Sequence, residues 1–318
     1  MSLSAGEIGV GLPELPRLTT TVPKEYVHRA SLAEVFLTGC TAEDDGRRFS
    51  LTGQWPRAHT FFNSADGSRH DPLQAAETFR QAGMFVTHAE HGVPLGHHFV
   101  LWSLSCHTDP ERLRIASRPT DFRLDVTCPD SAPRGRASAR RMGIGFTLRR
   151  DGVPVAHGEG RYSVVTPPVY ARLRANRPAR QPASAGPAVA AGPMPPTSVG
   201  RTSPADVVLT ATDMPDRWLL TPDLDHPILF DHGGDHLPGM VLMEGARQAA
   251  CARLAPRALI PASTSSSFHR YVELDSPCWI DVTEVTARDD GTATVDVVGV
   301  QDGEVVFTST VSGPVVLA

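Results

Sequence analysis

Cysteine is scarce and scattered. Cys40, Cys106, Cys128, Cys251 and Cys278 are the only five in 318 residues, an odd number with no CxxC spacing. That argues against a disulfide framework or a structural zinc site and fits a reducing cytoplasm. No apolar run approaches the ~18 residues of a membrane span. The N-terminal MSLSAGEIGVGLPELPRL lacks the basic-then-apolar order of a secretion signal. An excess of positive charge is also missing. Lys and Arg total 30 against 35 Asp and Glu, a net charge of −5, which argues against nucleic acid or an anionic membrane as partner. The GxSxG elbow, the phosphate-cradling P-loop and the GxGxxG fingerprint are absent, disfavouring a serine hydrolase, an NTPase and a dinucleotide enzyme. With few cysteines and no HxH pair, no metal set stands out. The expectation is a cytoplasmic protein with neither metal nor cofactor.

What the chain does contain is a repeat. Hydrophobic residues make up 41% of it, enough for two cores, and ~150 residues per domain is the usual size. A stretch rich in Pro, Ala, Gly and Arg, from Ala171 to Pro204, has no hydrophobic period and predicts an extended linker. This divides the chain into a loosely held 1–24, a first repeat over 25–170, the linker 171–204 and a second repeat over 205–318. Residues 58–88 and 225–254 align without a gap. His59 then matches His226, Phe62 matches Leu229, Glu77 matches Glu244, Arg80 matches Arg247 and Gln81 matches Gln248. Further on, RRDGVPVAHGEGRYSVV (149–165) echoes VQDGEVVFTSTVSGPVV (300–316), two strands around an Asp-Gly turn. Each copy predicts one Ala- and Met-rich helix, Leu73–His88 and Met240–Leu254, followed by alternating strands. The fold class is therefore α+β, each repeat an antiparallel sheet wrapped around a central helix.

On each helix, positions three and four apart share a face. Glu77, Arg80, Gln81, Met84 and His88 form one stripe, and Glu244, Arg247, Gln248 and Cys251 the other. A solvated Glu–Arg pair worth ~0.2–0.5 kcal/mol is the bland explanation. Against it, these are almost the only polar groups on otherwise apolar helices, and buried charge must be paired or used. A carboxylate, a guanidinium and an amide facing a cleft supply a proton acceptor, an anion clamp and a hydrogen-bonding amide. His59 and His226, each the same distance before its Glu, are further catalytic candidates.

The segment HLPGMVLMEGARQAA (236–250) resembles the hotdog-fold 3-hydroxyacyl-carrier-protein dehydratases. Their helix opens with Pro-Gly and presents a catalytic Glu at the spacing of Pro238 to Glu244. They pair it with a His from the other half of a double hotdog, although His226 departs from that pattern by lying too far from Glu244. The whole chain resembles the A-factor biosynthesis (AfsA-like) family of γ-butyrolactone synthases. The resemblance is carried by VHRASLAEVFLT (27–38), HDPLQAAETFRQAGM (70–84), GVPLGHHF (92–99), GDHLPGM (234–240), LMEGARQAA (242–250) and YVELDSPCW (271–279).

That resemblance implies a double hotdog, an internal pseudo-dimer. It also implies transfer of a β-ketoacyl group from acyl carrier protein to the hydroxyl of dihydroxyacetone phosphate. The ester then closes to a phosphorylated butenolide, a precursor of γ-butyrolactone signals. For this chemistry Glu77 or Glu244, or His226 or His59, is the base. Arg80 and Arg247, with Gln81 and Gln248, are the substrate-binding set. The oxyanion falls to peptide N–H groups at a helix start, around Pro72-Leu73 or Gly239-Met240. Met84, Phe85, Met240, Val241 and Leu242 are candidates for an acyl tunnel. The arginines between Arg134 and Arg150 offer a basic patch for the acidic carrier. The Pro-Gly entry exists only in the second copy, which suggests one working site. A hotdog dehydratase or thioesterase is the alternative enzyme; a butyrolactone-sensing DNA-binding regulator is disfavoured by the acidic charge.

Overall fold

A computed structural model describes residues 18–43, 46–129, 139–175 and 187–317. In chain order the first part holds β1 (Leu37–Ala42), β2 (Arg48–Trp55), α1 (Pro72–Phe85), β3 (His98–Thr108), β4 (Thr120–Thr127), β5 (Ala139–Arg150) and β6 (Val153–Val165). Then come α2 (Pro167–Ala175), β7 (Val189–Pro193), β8 (Leu209–Thr212), β9 (Arg217–Leu220) and α3 (Gly239–Leu254). The chain ends in β10 (Ala258–Leu259), β11 (Ser263–Phe268), β12 (Cys278–Ala287), β13 (Thr292–Gln301) and β14 (Glu304–Val316).

The strands form one sheet in the order β1-β2-β4-β5-β6-β3-β11-β14-β13-β12-β9-β8-β7, with β10 on β14. Read outward from the centre, the two halves repeat the same order, β3-β6-β5-β4-β2-β1 and β11-β14-β13-β12-β9-β8. The seam is the antiparallel β3–β11 pair, with Ser105 opposite Ser265. This is the expected α+β double hotdog.

Local sequence explains the framework. The β5–β6 and β13–β14 hairpins turn at Asp151-Gly152 and Asp302-Gly303, with φ of 50° and 78° in one and 52° and 79° in the other. Positive φ at both central residues suits a twisted hairpin, and Asp-Gly tolerates it. Helix α1 begins with Pro72, and the Leu73 N–H donates to Asp71 Oδ1 at 2.9 Å, capping the first turn. Helix α3 begins after Pro238 and has no side-chain cap. Small residues let the helices sit tightly in the sheet's curve: Ala75, Ala76 and Ala82 on α1, and Ala246, Ala249 and Ala250 on α3, are buried. Phe79 stacks on Phe146 with centroids 4.8 Å apart, and burying one such ring contributes ~1.5–3 kcal/mol.

Regular structure reaches into 171–204. The end of α2 and all of β7 lie there, and Arg174 reaches across to Asp235 and Glu273 at 2.9 and 2.7 Å. Among the described residues no helix is long and apolar enough to cross a membrane.

Candidate active site

Each helix carries its polar stripe inward. Glu77, Gln81, Glu244 and Gln248 are all 0% exposed, so the solvated-face explanation does not hold. In the first repeat, Arg80 donates from Nε to Glu77 Oε2 and from Nη2 to Oε1, both at 2.7 Å. Gln81 Nε2 donates to the same Oε1 at 2.8 Å. A second guanidinium completes the cluster: Arg29 Nη2 lies 2.7 Å from Glu77 Oε1, and its Nη1 donates to the Ile228 carbonyl at 2.8 Å. The second repeat copies this. Arg201 and Arg247 both bracket Glu244 at 2.7 Å, and Arg201 Nη1 donates back to the Phe61 carbonyl. Each cluster thus fastens its repeat to the other. Burial alone would push each carboxyl up, but the paired arginines outweigh it and hold both Glu77 and Glu244 down to about 2. Both are persistent anions.

The two clusters differ in access. A cavity of about 730 Å³ has Arg29, Glu77 and Arg80 in its wall together with Pro238, Gly239 and Met240 at the start of α3. It is therefore composite, with the glutamate cluster from the first repeat and the helix entry from the second. Because α3 lacks a side-chain cap, its first peptide N–H groups are left for a ligand. Arg80 spends Nε on Glu77 and Nη2 on Glu77 and the Val27 carbonyl, and among the described residues Nη1 meets only the Met84 sulfur, at 2.8 Å. The cavity extends between α1 and the sheet past Phe79, Gly83, Met84, Leu104, Ile144 and Tyr162, an apolar channel.

The matching position around Glu244 is filled. Asp71 caps α1 and lies 3.5 Å from Arg201 Nη1. The Arg201 guanidinium lies over the Phe61 ring at 4.0 Å, and the Arg201 and Arg247 side chains are only 3% and 5% exposed. A larger hollow of about 1160 Å³ lies on the outer face of β3–β6 and shares Trp102, Ile144, Phe146, Gly160 and Tyr162 with the cavity. It contains none of the glutamate-cluster residues.

Several expected site residues occupy other places. His59 Nδ1 accepts from the Phe61 and Phe62 N–H groups at 3.1 and 3.0 Å, while Nε2 faces Glu34 at 3.3 Å. His226 repeats this with Ile228, Leu229 and Asp206. Both ring nitrogens are thus engaged in holding a turn, and neither histidine lines the cavity or bonds to Glu77 or Glu244. Their equal spacing from the Glu reflects a repeated turn. Gln81 and Gln248 brace the sheet instead of facing the cavity: each Nε2 donates to a carbonyl, of Glu34 or Asp206, and each Oε1 accepts an N–H, from Phe36 or Val208. Arg247 and Glu244 lie away from the cavity. Met84, Met240 and Leu242 do line it, whereas Phe85 and Val241 pack elsewhere.

Sequence reasoning missed Arg29 and Arg201. The signal was present in KEYVHRAS (24–31) and PTSVGRTS (196–203), which share Val-x-Arg-x-Ser. Each forms a 3₁₀ turn followed by a serine that accepts an N–H two residues on, Ser31 from Ala33 and Ser203 from Ala205. The pair is offset from the helix alignment by an insertion, and Arg201 falls inside the Pro-rich stretch read as linker.

The A-factor biosynthesis hotdog domain matches residues 12–166 and 183–316. The 2-oxo-3-(phosphooxy)propyl 3-oxoalkanoate synthase of Streptomyces virginiae is 47% identical over 292 residues, 91% of this chain and 96% of that protein. The synthase of the same name from Streptomyces coelicolor is 40% identical over 92% of this chain and 91% of its own. Among solved structures, an acyl-ACP thioesterase from Bacteroides thetaiotaomicron matches with a TM-score of 0.48 and 11% identity, over 85% of this chain and 98% of that one. With both repeats matched and nine-tenths of its length shared with these synthases, the chain belongs to the AfsA family of A-factor biosynthesis hotdog proteins.

Proposed function

We propose that the protein is a 2-oxo-3-(phosphooxy)propyl 3-oxoalkanoate synthase, an acyltransferase joining a 3-oxoacyl group to the free hydroxyl of dihydroxyacetone phosphate. The observation that carries this reading is the composite cavity, whose wall has Arg29 and Arg80 at one side, the uncapped start of α3 at another and an apolar channel between. The channel takes the acyl chain. Arg80, held in orientation by Glu77 and supported by Arg29, grips the acceptor's phosphate, for which a guanidinium is well matched. The thioester carbonyl sits at the start of α3, where the Gly239 and Met240 N–H groups stabilise the tetrahedral oxyanion. The acceptor oxygen attacks the carbonyl carbon, its proton passes to a base, and the carbon–sulfur bond breaks to release the thiol. Glu77, with its oxygens taken by arginines and its pKa held low, acts as the arginines' anchor and not as that base. Esterification in place of hydrolysis follows from an acceptor held by charge.

Acyl carrier protein is the donor in this proposal, docking on the face that carries Arg141 and Arg161 around the outer hollow. Of the arginine run, Arg134 and Arg136 and the Arg140 side chain lie outside the described residues, and Arg149 pairs with Asp125 at 2.9 Å. The chain acts as its own dimer of repeats.

Mass spectrometry of the protein incubated with a 3-oxoacyl thioester, with and without dihydroxyacetone phosphate, tests the reaction. The expected product is a phosphorylated ester or its butenolide, formed only with the acceptor. Free acid formed regardless of acceptor would instead identify a thioesterase.

A further inference from the structure

One residue in the cavity wall sits in a backbone conformation that its counterpart in the other repeat assigns to glycine. His28 ends the first 3₁₀ turn with φ 52° and ψ 55°. At the matching place, Gly200 has φ 70° and ψ 30°. A residue with a β-carbon holds this conformation at a cost of ~1 kcal/mol, whereas glycine adopts it freely. A β-carbon at Gly200 would lie 3.2 Å from Arg247 Nη1 and 3.4 Å from Cys251 Sγ, so the filled half has no room for a ring. The open half has the cavity, and there a histidine is kept despite the strain, as happens where a site fixes the backbone for use.

The partners of this ring settle its tautomer. His88 Nδ1 lies 2.8 Å from the Val93 carbonyl oxygen, which can only accept, so Nδ1 carries a proton. Burial keeps His88 neutral by lowering its pKa, leaving its Nε2 as an acceptor. His28 Nε2 is 2.9 Å from that atom and therefore donates to it. The unprotonated nitrogen of His28 is Nδ1, which has no hydrogen-bond partner among the described residues, on a ring that lines the cavity beside Arg29, Glu77 and Arg80. Phe99 packs edge-on against the ring, with centroids 5.1 Å apart, and fixes its plane.

We propose that His28 is the catalytic base for the acceptor hydroxyl and that His88 is the positioning residue that sets its tautomer. His28 Nδ1 takes the hydroxyl proton as the oxygen attacks the thioester carbon. When the tetrahedral adduct collapses and the carbon–sulfur bond breaks, the imidazolium returns that proton to the leaving thiolate. The base is regenerated and no other reactant is consumed. Burial, then the neighbouring His88 and Arg80, lower the His28 pKa to about 3. The acceptor's phosphate dianion on Arg80 cancels part of that opposition, so the base gains strength as the acceptor binds.

The inference rests on the acyl-transfer reading, and one assay separates the two. His28→Gly removes the ring while giving the backbone the residue found at position 200, so the fold is retained. In the full-length enzyme, kcat for ester formation should fall ~10²–10⁴-fold, with KM for both substrates and the thermal midpoint near wild type. Added imidazole should restore part of the lost rate. His88→Ala should give a smaller loss, again in kcat. Ester formation by His28→Gly at close to the wild-type rate would overturn the proposal. So would a loss confined to KM, or one that imidazole leaves unchanged. Wild-type enzyme that yields only free acid would overturn the acyl-transfer reading itself.

Discussion

Replacing Glu77 by glutamine removes the anion shared by the Arg29 and Arg80 guanidiniums and leaves Arg29 near Asp231, at 3.9 Å. The side chains of Arg29 and Arg80 are 6% and 14% exposed, so neither charge regains full hydration when its partner is neutralised. Breaking a buried ion pair in this way costs ~3–5 kcal/mol. Unfolding entropy is ~2 cal/mol/K per residue, so for a chain of 318 residues the melting midpoint should drop by ~5–8 °C. Glu244→Gln provides the internal comparison. Arg201 and Arg247 are 3% and 5% exposed, so its melting loss should equal or exceed that of Glu77→Gln. Activity separates the two variants, because only Glu77 orients an arginine on the open cavity. Assayed for ester formation below both midpoints, Glu77→Gln should lose most of its kcat/KM for the acceptor, and Glu244→Gln should stay close to wild type. An inactive but folded Glu244→Gln, or a Glu77→Gln that melts like wild type, would refute the reasoning.

Other variants and conditions follow from the same geometry. Arg80→Ala should cost ~10–100-fold in kcat/KM for the acceptor, the ~1.5–3 kcal/mol of a charged hydrogen bond, as steady-state kinetics will measure. A β-carbon at Gly83 would meet the Tyr162 ring no closer than 3.7 Å, so Gly83→Leu should fold and fill the channel. Each acyl methylene it excludes removes ~0.8 kcal/mol of binding, shifting preference towards shorter chains in a competition assay. His59→Ala should lower the melting midpoint by freeing two backbone N–H groups, with kcat retained at temperatures where it is folded. Acid should destabilise the protein in a defined window. Glu77 and Glu244 ionise at about 2 when folded, below the ordinary carboxylate range, so their stabilisation is complete above pH ~4.5 and is lost as pH falls towards 2. At ~3 kcal/mol for each carboxylate, the loss is readable by denaturant titration across that range.

Much of this architecture was legible because duplication doubles every signal. The Glu, Arg and Gln of the two helices and the Asp-Gly hairpins recur at matching places, which located both helices and the hotdog halves. What the sequence concealed was how the halves meet. Arg29 and Arg201 complete the glutamate clusters from the opposite end of each repeat, and no helix or strand period relates them to Glu77 or Glu244. The equal spacing of His59 and His226 was read as chemistry because a repeated turn and a repeated site leave the same trace. The difference between Asp71-Pro72 and Leu237-Pro238-Gly239 was visible and pointed to one working site. That it leaves α1 capped and α3 open, and so joins Glu77 of one repeat to the helix entry of the other, is a property of packing. His28 shows the same limit, since its significance emerges only beside Gly200.

The most direct test of the central claim is a crystal structure with dihydroxyacetone phosphate and a non-hydrolysable 3-oxoacyl thioester analogue. The account predicts the phosphate on Arg80, the carbonyl oxygen within hydrogen-bond distance of the Gly239 or Met240 N–H, and the acyl chain between Gly83 and Tyr162. Ligand density beside Glu244 and Arg247, with the Glu77 cavity empty, would contradict it.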